Sequence, residues 1–121
     1  MSRTVLVVED QEDNRQILRD LLGNAGYAML EAENGADALA AVTKQRPDLI
    51  LMDIQLPVMD GYEATRRLKT DPATKDIPII VVTSYALSGD EAKARASGCD
   101  GYVTKPYSPR ALLAKIKEYL P

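Results

Sequence analysis

The chain contains no histidine, tryptophan or phenylalanine, and one cysteine among 121 residues. Without imidazole there is no Ser-His-Asp or Cys-His catalysis, no imidazole metal ligand, and no phosphohistidine carried by the chain itself. Cys99 alone closes no internal disulfide and builds no zinc centre of several thiolates, a usage that fits a reducing, cytoplasmic setting. Long apolar runs are also missing: Val5–Val8 and Ile77–Val82 fall far short of the roughly 20 residues that span a bilayer. Glu9 and Asp10 follow the first run at once, so no secretory leader is expected there. Neither sign of charge dominates. Fifteen basic and eighteen acidic residues give a net charge of −3, which attracts neither nucleic acid phosphates nor anionic lipid. What is present is ordinary globular composition, 45% hydrophobic and 27% charged. At this length roughly 65% of the unfolded surface can be buried, so the fold needs no metal or disulfide to hold it.

Five apolar, β-branched runs punctuate the sequence: Val5–Val8, Tyr27–Leu30, Leu49–Met52, Ile79–Val82 and the shorter Gly101–Val103. The middle runs show little polar alternation, as strands buried on both faces of a parallel sheet require. Helical patterns lie between them. The first places Ile17, Leu18, Leu21 and Leu22 at helical spacing and stops near Gly26; the last carries Leu112, Leu113, Ile116, Tyr119 and Leu120. Start signals agree: Asp60 precedes Glu63 by three residues, Ser88 precedes Glu91, and Ser108 is followed by Pro109. The βα unit repeats five times and uses the chain from Arg3 to Leu120, so residues 1–121 are expected to form one domain. Right-handed crossovers then predict a doubly wound α/β fold, a five-stranded parallel sheet of order 2-1-3-4-5, flavodoxin-like in topology.

In such a fold the residues just past the strands converge on one crevice. Glu9 and Asp10 follow the first strand, Asp53 ends the third, Thr83 ends the fourth, and Lys105-Pro106 follow the fifth. Strands 1 and 3 are neighbours, so three carboxylates are expected to meet beside a hydroxyl and an ammonium. Two like charges about 4 Å apart repel by roughly 4 kcal/mol at an effective dielectric near 20, which calls for a cation. Oxygen-only ligands that leave room for water and phosphate oxygens suit Mg²⁺. A carboxylate beside Mg²⁺ and a lysine can also accept a phosphoryl group, forming an acyl phosphate, and needs no base because it is already ionised.

At these residues the sequence resembles the receiver domains of bacterial two-component response regulators. The resemblance covers nearly the whole chain and rests on Val7-Val8-Glu9-Asp10, on Leu51-Met52-Asp53-Ile54-Gln55-Leu56-Pro57-Val58-Met59-Asp60-Gly61, on Val82-Thr83-Ser84, and on Gly101-Tyr102-Val103-Thr104-Lys105-Pro106. It implies that Asp53 is the phosphoacceptor, that Glu9, Asp10, Asp53 and the Gln55 carbonyl hold Mg²⁺, and that Lys105 pairs with the phosphoryl group. It also implies that Thr83 and Tyr102 form a switch pair and that the Lys105-Pro106 bond is cis. Here the acidic pair is Glu-Asp where many members have Asp-Asp. The implied donor is a phosphohistidine on a sensor histidine kinase or phosphotransfer protein, docking near Asn14, Arg15 and Ile17. The implied output is a changed surface on the fourth helix, fifth strand and fifth helix. Such a protein catalyses only its own phosphoryl transfer and slow dephosphorylation.

Two other classes share features with this pattern. A flavodoxin-type mononucleotide carrier needs free amides in its first loop, where Glu9, Asp10, Glu12 and Asp13 would repel a cofactor phosphate. A haloacid dehalogenase-type phosphohydrolase also forms an aspartyl phosphate, but places a second aspartate two residues on as general acid. Here that position is Gln55, which transfers no proton. The remaining notable residues read plainly: Cys99 as a small packing residue, and Arg66 and Arg67 as the solvated face of the third helix.

Overall fold

The computed structural model describes residues 3–83, 90–105 and 107–121. Five strands, β1 (Thr4–Val8), β2 (Ala28–Ala32), β3 (Leu49–Asp53), β4 (Ile79–Thr83) and β5 (Gly101–Thr104), form one parallel sheet in the order β2-β1-β3-β4-β5. They alternate with helices α1 (Glu12–Asn24), α2 (Gly35–Lys44), α3 (Gly61–Thr70), α4 (Asp90–Ala96) and α5 (Pro109–Tyr119). The fold class and strand order are those expected from the sequence.

The apolar runs become strands because both faces of the sheet are covered. Along β1 and β3 successive residues turn alternately to two separate cores. Leu6, Val8, Ile50, Met52, Ile79 and Val81 pack with Ala38 and Val42 of α2, Ala64 and Leu68 of α3 and Ala94 of α4. Val5, Val7, Leu49, Leu51 and Ile80 pack on the opposite face with Leu18 and Leu22 of α1 and Leu112 and Ile116 of α5. Fully burying a Leu or Ile side chain stabilises by roughly 1.5–3 kcal/mol, so these layers supply most of the driving force.

Two expectations shift. The second strand begins at Ala28 rather than Tyr27 and runs on to include Glu31, which pairs in register with Val7. An acid is tolerated there because β2 is an edge strand and Arg15 and Arg19 both bind the Glu31 carboxylate. Ile17, placed by spacing on the apolar stripe of α1, is 56% exposed; Leu18 and Leu22 carry the buried stripe. The helix starts behave as read. Asp60 accepts from the Glu63 N–H at 2.9 Å, and Ser108 accepts from the Ala111 N–H at 3.0 Å with Pro109 opening α5. The expected start of the fourth helix at Ser88 lies outside the described residues.

Candidate functional site

Since β1 and β3 pair directly, with Val8 opposite Met52, the residues that follow them reach the same end of the sheet. Carboxylate oxygens of Glu9, Asp10 and Asp53 lie within 4.8 Å of one another. Glu9 and Asp53 are buried and Asp10 is exposed. Lys105 closes the cluster: its Nζ donates to Asp53 Oδ2 at 2.8 Å and lies 3.4 Å from Glu9 Oε1. The lysine arrives there because β5 pairs with β4, and the Lys105 N–H donates to the Thr83 carbonyl at 2.6 Å.

Asp53 is held at several points. Its Oδ1 accepts from the Gln55 N–H at 3.0 Å, and the next residue, Ile54, donates its N–H to the Val82 carbonyl and accepts from the Gly61 N–H. Gly61 matters for closeness of approach. A Cβ at that position would overlap the carbonyl of Asp53 and the Cα of Ile54, so α3 can start directly beneath the end of β3 only with glycine there.

The electrostatics express crowding of like charge. Partial burial of its carboxyl, a side-chain hydrogen bond with Glu9 and the Glu9 charge together push Asp10 above its ordinary value of 3.8, against the pull of Lys105. Burial disfavours the Lys105 ammonium, but the bond and charge of Asp53, joined by Glu9, outweigh it and hold its pKa above 10.5. Three acids with one ammonium leave negative charge in excess, and all donors are oxygens. This donor set fits a hard divalent cation.

Thr83 is buried at the end of β4, opposite Thr104, and Tyr102 is half-buried on β5 opposite Val81. Strand alternation puts Thr83 on the face of Val81 and Tyr102. Tyr102 packs against the core that contains Ala94 of α4. The expected cis bond at Pro106 lies outside the described residues.

Of the residues named near the expected docking region, Arg15 is turned inward. Arg15 is 7% exposed, and its Nη1 donates to the Glu9 carbonyl at 2.8 Å. Asn14 donates to Glu9 Oε1 at 2.8 Å, whereas Ile17 faces solvent. Sequence reasoning missed both contacts. The available signal was position: one helical turn past an acidic strand end, side chains of α1 lie within reach of the residue where the strand stops.

Comparison with known proteins agrees with this geometry. A sequence family described as the response regulator receiver domain matches residues 5–117. The polar-differentiation response regulator DivK of Brucella anthropi is 45% identical over 120 residues, covering 99% of this chain and 98% of that protein. Among solved structures, chemotaxis protein CheY4 of Vibrio cholerae superposes with a TM-score of 0.91 at 31% identity, over 98% of this chain and 99% of that one. The receiver domain of sensor histidine kinase PA1611 from Pseudomonas aeruginosa, solved with a magnesium ion in its active-site cleft, gives a TM-score of 0.91 at 32% identity, over 99% and 98% of the two chains. These similarities lend the phosphohydrolase alternative no support. With the match spanning nearly all of the sequence, the fold in the expected strand order and an acidic cluster at its strand ends, the chain belongs to the response regulator receiver family.

Proposed function

We propose that Asp53 accepts a phosphoryl group from a phosphohistidine on a separate sensor kinase or phosphotransfer protein, and that residues 1–121 act as one cytoplasmic receiver unit. The observation that carries this reading is the 2.8 Å contact from Lys105 Nζ to Asp53 Oδ2 inside a cluster of three carboxylates. An Asp53 carboxylate oxygen forms the new bond to phosphorus while the phosphorus–nitrogen bond of the donor breaks. The electron pair leaves with the imidazole, and no proton has to be removed from the nucleophile. Lys105 offsets charge on the phosphoryl oxygens from a fixed position. Glu9, Asp10, Asp53 and the Gln55 carbonyl would hold Mg²⁺. When bound, the ion neutralises charge on the transferred group.

Signal output rests on Thr83 and Tyr102. Phosphorylation turns one negative charge into nearly two and adds acceptor oxygens, a demand that a hydroxyl at Thr83, at the end of the strand beside β3, can answer. The Thr83 and Tyr102 side chains share a sheet face with α4, so a shift of Thr83 changes the room available to Tyr102 and the surface of α4, β5 and α5. A cytoplasmic setting is supported by the single cysteine; among the described residues no helix is long and apolar enough to cross a membrane.

Acetyl phosphate with magnesium tests the assignment. Intact-mass spectrometry should show the gain of one phosphoryl group, absent in Asp53→Asn and suppressed by chelation. Continuous release of phosphate, or equal labelling of Asp53→Asn, would overturn it.

A further inference from the structure

Glu9 is one methylene longer than the aspartate that many receivers carry at this place, and a longer side chain has more rotamers in which to miss its target. Here almost every polar handle of the residue is occupied. Its N–H donates to the Ala32 carbonyl of β2 at 3.0 Å. Its carbonyl accepts from Arg15 Nη1 at 2.8 Å, and its Oε1 accepts from Asn14 Nδ2 at 2.8 Å and faces Lys105 Nζ at 3.4 Å. Two consecutive residues of α1 therefore grip opposite ends of Glu9.

Arg15 is itself fixed. Its Nε donates to Glu31 Oε1 at 3.1 Å, and its Nη2 donates to Glu12 Oε2 at 2.6 Å and lies 3.4 Å from Glu33 Oε1. One planar fork thus spans α1, the end of β1 and the region around the end of β2. A lysine ammonium is a single point on a flexible stem and does not reproduce the directed Nη1 bond to the Glu9 carbonyl. The arrangement matches a general feature of metal sites, in which outer hydrogen bonds aim the ligands and their loss weakens binding about 10- to 100-fold.

We propose that Asn14 and Arg15 are the positioning residues of this site: Asn14 aims the Glu9 carboxylate and Arg15 anchors the backbone from which it projects, and together they set the affinity for the divalent cation. The proposal rests on the reading of the acidic cluster as a magnesium site.

Calorimetric titration of the metal-free protein with Mg²⁺ tests it, alongside thermal melts without metal. Asn14→Ala and Arg15→Met should each weaken Mg²⁺ binding about tenfold or more, and Arg15→Lys should fail to restore it. Glu31→Gln removes ion pairs to Arg15 and Arg19 without touching Glu9; it should lower the melting temperature and leave Mg²⁺ affinity within twofold of wild type. If Asn14→Ala and Arg15→Lys both fold and bind Mg²⁺ within twofold of wild type, the proposal is wrong. It is equally wrong if Glu31→Gln weakens binding as much as they do, since the network would then act only through general stability. Should Arg15→Met not fold, the other two variants decide. A wild-type protein that binds no Mg²⁺ would instead sink the functional reading itself.

Discussion

The ammonium of Lys105 sits 2.8 Å from Asp53 Oδ2 and 3.4 Å from Glu9 Oε1, joining the end of β5 to the ends of β3 and β1. No other described lysine or arginine makes an ion pair with the three clustered acids. Lys105→Met should cost the metal-free protein about 1–2 kcal/mol at neutral pH, between the values for exposed and buried pairs. Because the folded state raises the Lys105 pKa, this contribution is whole below 10.5 and fades as pH climbs through the folded-state value. Urea midpoints of wild type and variant should differ at pH 7 and converge in strong alkali. A gap that persists there would assign the loss to packing instead.

Asp10 behaves with the opposite sign. Its carboxyl is held above 3.8, so it favours the fold only while protonated, and that contribution disappears as pH rises past the acid range. At pH 7 without metal, Asp10→Asn should melt higher than wild type. Mg²⁺ at a hundredfold excess over its dissociation constant should add about 2.7 kcal/mol to the wild type, and much less to the variant. Melting curves with and without chelator settle the point, and an unchanged metal response would remove Asp10 from the cation site.

At Gly61 the expected result of substitution is local displacement. Ala would drive its Cβ into the backbone of Asp53 and Ile54, atoms that cannot swing aside as a side chain could. Gly61→Ala should cost about 3 kcal/mol and slow acetyl phosphate labelling of Asp53. Unchanged labelling would show that α3 can retreat without moving the carboxylate.

Val58 holds φ at 68°, in the left-handed region, with 85% of its surface exposed. A β-branched residue is strained there and gains nothing from burial. Val58→Asn should stabilise by about 1 kcal/mol in urea unfolding. No gain would mean that the loop relaxes around valine at no cost.

Weak anchoring marks α4. Of its described side chains, residues 92–96, only Ala94 is buried. Small apolar area predicts early opening, so α4 amides should exchange before those of α1 and α5. Beryllofluoride, a phosphoryl mimic, should change protection in α4 more than in any other helix. Equal change across the helices would contradict the switch through Thr83 and Tyr102.

The pattern of apolar runs and turn signals made the sheet order legible, because buried parallel strands leave a continuous hydrophobic record. Asp53 and Lys105 could be placed together since each falls just where its strand stops. The extension of β2 through Glu31 was hidden, as its charge is answered by arginines from α1 that no local pattern announces. The burial of Arg15 was hidden for the same reason: it depends on partners 6, 16 and 18 residues away. The strain at Val58 left no trace in composition, because the loop conformation is imposed by what it connects.

The two hydrophobic layers have no residue in common. On one side, Tyr27 of the β2 approach donates its hydroxyl to the Leu120 carbonyl, tying the start of β2 to the residue that follows α5. Close-packed layers pass strain mainly to what they touch. A rearrangement around Tyr102 and Ala94 therefore reaches the layer beneath α1 only through the strands themselves, which leaves the two sides of the sheet mechanically separable.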